Sequence, residues 1–184
     1  NKPIGPDIAS DPAESTIVVP ASVTGVVRDI DVLTDVTHAF PGDVDIELVH
    51  VASGTTTKLV AGPKGFPSNS FSNGYSGTLF DDSADTLATD ASRSTVVPLV
   101  PEGALGAFVG LPAAGEWLLR IRDLADSDAG TLINWQLRVT TQSAAPSVTT
   151  EIYNTEPGPA VAIPDNGSFV SKTIEVSGAR SYLW

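Results

Sequence analysis

The sequence predicts an all-β protein with the architecture of a sandwich or a barrel. Short runs rich in Val, Ile and Thr are separated by Gly, Pro, Asn, Asp and Ser, whereas helical periodicity is hard to find along the chain. Many short strands with turn residues between them are typical of double-layered or closed β architectures. The predicted strands cover residues 15–19, 26–36, 44–51, 56–60, 95–100, 117–122 and 132–140.

The last two predicted strands show a clear alternation of apolar and polar residues. A period of two places one set of side chains in the core and the other in solvent. The core-facing set is Trp117, Leu119 and Ile121 in the first strand, and Ile133, Trp135, Leu137 and Val139 in the second. The solvent-facing set of the second strand is Asn134, Gln136 and Arg138. We therefore interpret both tryptophans as core residues rather than as a platform for a sugar ring.

Residues 61–94 form a long stretch rich in Gly, Asn, Ser and Asp. A loop of this length is unusual in a compact domain unless something holds it in place. Either a metal ion or packing by apolar side chains would do so. The candidate side chains are Phe66, Phe71, Tyr75, Leu79 and Phe80. If the aromatic residues of this loop are exposed, they would instead contact a carbohydrate or a protein.

Composition excludes several classes of protein. The chain has 184 residues, of which 41% are hydrophobic, enough for one domain and a tail, and it has no apolar run of membrane-spanning length. A net charge of −12 disfavours binding to nucleic acid or to anionic lipid, and favours solubility or the binding of hard cations. The absence of Cys excludes disulfides and thiolate chemistry. Because the chain begins at Asn1 without an apolar leader, we expect a mature or excised fragment from which any export signal has been removed.

The composition changes after residue 141. Residues 142–160 are rich in Ser, Thr, Ala, Pro and Gly, which is typical of a linker. An Ile/Pro/Asp turn followed by a Thr-Ile-x-Val strand then occurs at 163–176, as a similar pattern does at 8–19. This repeat predicts a first domain at 1–141 and the truncated start of a second at 161–184. The alternative is a chance similarity between two ordinary strands.

The predicted strand of the tail needs a partner. A lone strand leaves its backbone N–H and C=O groups unpaired and its apolar face unburied. We therefore expect residues 171–176 to pair with a neighbouring molecule or with a second domain that lies outside this chain.

Three predicted turns carry clustered carboxylates. If these turns converge at one end of a sandwich, their oxygens would suit a hard cation with about six to eight oxygen ligands, which indicates Ca²⁺. The segment Asp126-x-Asp128-x-Gly130 has the short spacing of a calcium turn but lacks the later Glu of an EF-hand loop. The alternative is that each Asp bonds only to the backbone of its own turn. The candidate metal ligands are Asp43, Asp45, Asp81, Asp82, Asp123, Asp126 and Asp128.

His38 and His50 are the only histidines, and no His-Glu-x-x-His motif is present. The segment Gly74-Tyr75-Ser76-Gly77 stops short of a Gly-x-Ser-x-Gly nucleophile elbow. We expect His38 to hydrogen bond within its own turn, and we expect no catalytic site in this chain.

Five segments resemble, in order, the motifs of the P domain (P/Homo B domain) that follows the protease domain in kexin- and furin-like subtilases. A Thr-His-x-x-x-Gly-Asp turn is the first, and a Ser-Gly-Thr hairpin follows it, although Ala52 stands where a Pro is commoner. The segments are Thr37 to Asp43, Ser53 to Thr55, Thr78 to Ala84, Pro101 to Phe108, and the closing pair Gly115-x-Trp117 and Gly130-Thr131-Leu132-x-x-Trp135.

The resemblance covers about residues 8–140 and implies a jelly-roll-like β-sandwich with an accessory role. In convertases such a domain packs against the protease domain and stabilises it. In secreted bacterial proteins it is appended to other catalytic modules or occurs in tandem, and bacterial P domains are known as calcium binders. These properties imply a secreted, calcium-stabilised, non-catalytic module that supports or targets an adjacent domain of the same polypeptide, such as a subtilisin-like serine protease.

A second hypothesis remains open from the residues themselves. Here the domain would bind a protein or polysaccharide substrate, or a surface, through residues 61–94. Neither hypothesis includes nucleic acid or membrane insertion.

Overall fold

The computed structural model describes residues 1–5, 12–62, 74–88, 98–125 and 128–143, together with the backbone of residues 174–176 and 180–182. The chain divides into two compact units, Asn1–Ala144 and Ala145–Trp184. Among the described residues, no helix has the length and apolar character needed to cross a membrane.

Eight described strands of the first unit form two antiparallel sheets. One sheet contains β1 (Lys2–Ile4), β3 (Val26–His38), β6 (Tyr75–Phe80) and β8 (Gly130–Gln142). The other contains β2 (Ala13–Val19), β4 (Val44–His50), β5 (Thr55–Val60) and β7 (Gly115–Asp123). The strand orders are β1-β8-β3-β6 and β2-β7-β4-β5. This is the order of an eight-stranded jelly roll, so the predicted all-β, jelly-roll-like β-sandwich is confirmed.

The core lies between the two sheets and is centred on large aromatic residues. Trp117, Phe80 and Phe108 are completely buried, and the rings of Trp117 and Phe108 meet edge to face with centroids 5.2 Å apart. Trp135 is 6% exposed, and its indole N–H donates to Ser15 Oγ at 3.1 Å. Both tryptophans are therefore core residues, as the alternation predicts.

The predicted register of β8 is wrong at its first apolar position. Leu132 is buried, whereas Ile133 is 40% exposed. The pairing with β3 shifts here, because Asp35 lies opposite Asn134 and Val36 lies opposite Leu132. The extra residue is a β-bulge, which turns Ile133 out of the core.

The interpretation of residues 61–94 as one long loop is also wrong. The strand β6 lies within this stretch and pairs with β3. Tyr75 is only 2% exposed, so it packs in the core and cannot contact an external carbohydrate or protein. Phe66 and Phe71 lie outside the described residues.

A strand is predicted at 95–100, but its described residues form only two isolated β-bridges. Leu99 bridges to Phe80 and Val100 to Leu87, both in parallel orientation. The prediction for residues 95–97 falls outside the described part of the chain.

The second unit contains an antiparallel pair of short strands, β9 (Ile174–Val176) and β10 (Arg180–Tyr182). The described part of the predicted tail strand thus pairs with a later segment of the same chain, and a further partner outside this chain stays a prediction. The prediction overlooked β10 because Arg180 and Ser181 leave this short segment without an apolar pattern.

Candidate functional site

One imidazole and two carboxylates meet at one end of the sandwich. His38 is the last residue of β3, Asp123 is the last residue of β7, and Asp128 lies two residues before β8. Because β3 and β8 belong to one sheet and β7 to the other, these side chains meet where the chain crosses between the sheets. We call His38, Asp123 and Asp128 the end cluster.

The ring of His38 contacts both carboxylates. Its Nε2 lies 3.3 Å from Asp123 Oδ2, and its Nδ1 lies 3.5 Å from Asp128 Oδ1. The side chains of His38 and Asp123 are fully buried. The Nδ1 atom also lies 2.9 Å from the carbonyl oxygen of Phe40 and 3.2 Å from its amide nitrogen. The predicted bond of His38 within its own turn is thus confirmed, and the contacts with the carboxylates are additional.

Two glycines permit this close approach of strands and side chains. Gly5, at φ +71°, follows β1, and a Cβ at this position would collide with the carboxylate of Asp123 and lie 3.1 Å from the carbonyl oxygen of Asp128. At Gly130, a Cβ would collide with the backbone of Thr37 and the ring of His38. Neither position accepts a side chain without displacing the end cluster.

Backbone hydrogen bonds hold the adjoining turns together. The 3₁₀ turn Pro41–Asp43 begins directly after Phe40. The amide of Leu124 donates to the carbonyl oxygen of Asp43 at 2.9 Å, and the amide of Ala125 donates to Asp123 Oδ1 at 3.2 Å. These bonds fix the loop after β7 against the turn after β3.

The electrostatics of Asp128 favour a nearby positive charge. Burial raises the pKa of Asp128; His38 opposes this effect, and the neighbouring carboxylates of Asp123 and Asp43 raise the pKa further. Its Oδ1 is buried and receives no hydrogen bond from the described residues. One ligand atom from each member of the end cluster lies within 4.8 Å of the others. A cation here would relieve the repulsion between carboxylates and provide a partner for the buried oxygen.

Three of the predicted metal ligands already bind protein groups. Asp45 Oδ2 lies 2.6 Å from Lys58 Nζ and 3.3 Å from Arg122 Nη1. Asp81 Oδ1 accepts hydrogen bonds from the amide and the hydroxyl of Ser83, both at 2.7 Å, which is the turn-stabilising role that Asp plays by itself.

Asp82 accepts hydrogen bonds from the amides of Leu105 and Gly106, at 2.9 and 2.7 Å. It therefore holds the start of the 3₁₀ turn Leu105–Phe108. Of the seven predicted ligands, the structure brings together Asp123 and Asp128. Asp43 is not part of this cluster and acts on Asp128 only electrostatically, and Asp126 lies outside the described residues.

The two histidines do not form an accessible catalytic group in the described part of the chain. His38 has a carboxylate partner but is fully buried. His50 Nδ1 lies 2.8 Å from Ser53 Oγ, but its Nε2 is buried without a hydrogen-bond partner among the described residues. The ring of His50 packs against Trp117, with centroids 4.6 Å apart, so it lacks the orienting acid of a catalytic triad.

Sequence reasoning found the carboxylates of the end cluster but missed the role of His38 and Gly5. Both residues stand at strand ends, and these strands are distant from β7 in sequence. The available signal was the position of His38 at the end of an alternating strand, with two residues between it and the start of a Pro-Gly-Asp turn.

Comparison with known proteins agrees with this architecture. Residues 27–139, from β3 to the middle of β8, match the proprotein convertase P-domain. The chain belongs to the P-domain family. No curated protein matches this chain.

Two solved structures from Aeromonas sobria are similar to this P domain. One is a serine protease, with a TM-score of 0.48 and 20% identity, over 77% of this chain and 25% of the protease. The other is a complex of that serine protease with a chaperone, with a TM-score of 0.48 and 22% identity, over 75% of this chain and 24% of the matched chain. This chain thus spans about a quarter of the length of the solved chains that it matches.

Proposed function

We propose that this P domain is a non-catalytic accessory module of a secreted bacterial protein, and that it supports the folding, stability or targeting of an adjacent catalytic domain such as a subtilisin-like serine protease. The observation that carries this proposal is the family match over residues 27–139, which covers most of the sandwich. The burial of His38 and the packing of His50 against Trp117 support a non-catalytic role.

The accessory role is tested in the longer polypeptide that carries this domain. Replacing Trp117 with Ala removes a fully buried side chain from the centre of the sandwich. We expect this variant to lower both the yield of active enzyme and its unfolding temperature, since the neighbouring domain loses its support. The exchange of exposed Asp85 for Asn serves as the matched control. Unchanged yield, activity and unfolding temperature in the Trp117→Ala variant would refute the accessory role.

We further propose that Ca²⁺ binds at the end cluster. The buried Oδ1 of Asp128, which receives no hydrogen bond from the described residues, and the carboxylate of Asp123 offer the hard oxygen donors that Ca²⁺ prefers. The nitrogen atoms of His38 are poor calcium ligands, so this residue would orient Asp123 by hydrogen bonding rather than bind the ion. A bound ion would link the loop after β7 to the turn after β3.

Thermal unfolding with added Ca²⁺, with added Mg²⁺ and with a chelator tests this site. At a free concentration about a hundred times the dissociation constant, binding adds about 2.7 kcal/mol to the free energy of unfolding. We expect Asp128→Asn to abolish the increase caused by Ca²⁺ and Asp85→Asn to retain it. Equal unfolding temperatures with Ca²⁺ and with chelator would refute the calcium site but not the accessory role.

A further inference from the structure

A shallow pocket of about 260 Å³ lies on the sheet that contains β3, β6 and β8. It shares no residue with the end cluster, because on β3 its lining ends at Asp35, before His38. Its lining comprises Leu33, Thr34, Asp35, Ser76, Gly77, Asn134, Trp135 and Gln136.

The pocket forms around Asp35, where the pairing of β3 with both of its neighbouring strands is irregular. The pairing of β3 with β6 shifts between Thr34 and Asp35, and the pairing of β3 with β8 shifts between Asp35 and Val36. Bulges of this kind bend strands and redirect side chains, and they are common beside binding sites. On the neighbouring strand, Gly77 adopts φ +64° and contributes no side chain to fill the space.

The polar groups of the lining include both donors and acceptors. Asp35 Oδ1 accepts a hydrogen bond from Ser76 Oγ, which holds this carboxylate in place. Asn134 Oδ1 accepts a hydrogen bond from the amide of Trp135 at 2.8 Å. This bond uses the carbonyl of the side-chain amide, and it leaves the two N–H donors of Asn134 available. Gln136 is exposed and supplies a second amide group.

We propose that this pocket binds a single sugar unit of a neutral glycan. Each sugar hydroxyl can donate one hydrogen bond and accept others. A lining of carboxylate, hydroxyl and amide groups offers acceptors and donors for both roles. The volume lies slightly below the usual range of roughly 300–1,000 Å³ for ligand sites, which suits one ring rather than a large ligand.

Other ligand classes fit this lining less well. An anion would face the carboxylate of Asp35, with no cationic residue in the lining to balance it. An apolar ligand would leave the amides of Asn134 and Gln136 without partners. A neutral polyol avoids both costs.

Binding is measured with the full chain by isothermal titration and by saturation-transfer NMR. The probes are cello-, xylo-, manno- and chito-oligosaccharides of six units, each at millimolar concentration. We expect at least one of these probes to bind, and we expect Asn134→Ala with Gln136→Ala to weaken its affinity about tenfold or more, because two hydrogen bonds are lost. Thr140→Ala, at an exposed position on the same strand, is the matched control and should retain affinity.

The unfolding temperature of each variant is recorded to show that the sandwich is intact. A lack of binding by every probe would overturn the proposal, and so would binding that persists at full affinity in the double variant. Neither result bears on the accessory role or on the calcium site, since the pocket shares no residue with the end cluster.

Discussion

His38 Nε2 lies 3.3 Å from Asp123 Oδ2, and these two residues end strands that belong to opposite sheets. The contact is fully buried and joins the two layers of the jelly roll by a polar interaction at a point where the apolar core ends. Such a contact is costly to break, because each group alone would lose both its solvent and its partner. It therefore fixes the end of β3 relative to the end of β7 at this end of the domain.

Replacement of Asp123 with Ala should destabilise the domain strongly. The substitution removes the partner of His38 Nε2 and also the acceptor for the amide of Ala125. Loss of one member of a buried polar pair costs about 3–5 kcal/mol. Urea unfolding, followed by tryptophan fluorescence, measures this change.

Asp85 provides the comparison for the Asp123 substitution, since it is exposed on the surface. Its replacement with Ala should alter the free energy of unfolding by no more than about 0.5 kcal/mol. If the two substitutions have similar effects, the end cluster does not stabilise the fold.

Gly5→Ala tests the close approach of the N-terminal strand to the end cluster. The positive φ of +71° alone disfavours Ala, by about 1–2 kcal/mol. The new Cβ would in addition push against the carboxylate of Asp123. We expect a total loss of about 2–4 kcal/mol in the free energy of unfolding, since the carboxylate must shift as well.

Gly54→Ala separates the two contributions. Gly54 has nearly the same backbone angle, φ +70°, but its Cβ would have no neighbour within 4 Å. The difference between the two variants thus reports the contact with Asp123. Equal losses at both positions would show that Gly5 matters only for its backbone conformation.

A pair of adjacent residues tests the bulge in β8. Leu132→Ala removes a buried side chain and should cost about 2–5 kcal/mol. Ile133→Ala removes an exposed one and should cost no more than about 0.5 kcal/mol. The simple alternation along this strand predicts the reverse order, so urea unfolding of both variants distinguishes the two registers. A larger loss at Ile133 would restore the register without the bulge.

The pattern of the sequence predicted most of the sandwich because its longer strands alternate. Trp117, Leu119 and Ile121 follow a strict period of two, and their burial agrees with it. The strand β6 escaped prediction because Gly77 interrupts it and Gly74 precedes it, and both residues are typical of turns. The bulge at Ile133 is set by pairing with β3, which no local pattern encodes.

The candidate site was predictable in part for a similar reason. Carboxylates at strand ends are visible in the sequence, and Asp123 and Asp128 do converge. The contacts of His38 and Gly5 depend on which strands become neighbours across the sandwich. The pairing of strands across the sandwich is set by the topology of the whole domain. The local sequence around Asp123 therefore does not predict these contacts.

The burial of His50 should make the stability of the domain depend on pH. Burial lowers the pKa of His50 from its ordinary value of 6.5. Below pH 6.5 the unfolded chain takes up a proton that the folded domain excludes. The stabilising contribution of the neutral ring is therefore fully present above pH 6.5 and is lost as the pH falls through the folded pKa. The slope from this one residue is at most about 1.4 kcal/mol per pH unit.

The measurement compares urea unfolding of the natural domain and of His50→Gln from pH 5 to pH 7.5. The difference between the two unfolding free energies isolates residue 50, because the two proteins are identical at every other position. We expect the stability advantage of His50 over Gln to be largest above pH 6.5 and to decrease as the pH falls. Only the natural domain must keep a proton away from this buried position. Ser53→Ala, which removes the hydroxyl beside Nδ1 but retains the buried ring, should keep the same pH dependence. A difference that stays constant with pH would mean that the folded domain accommodates protonated His50, contrary to its burial against Trp117.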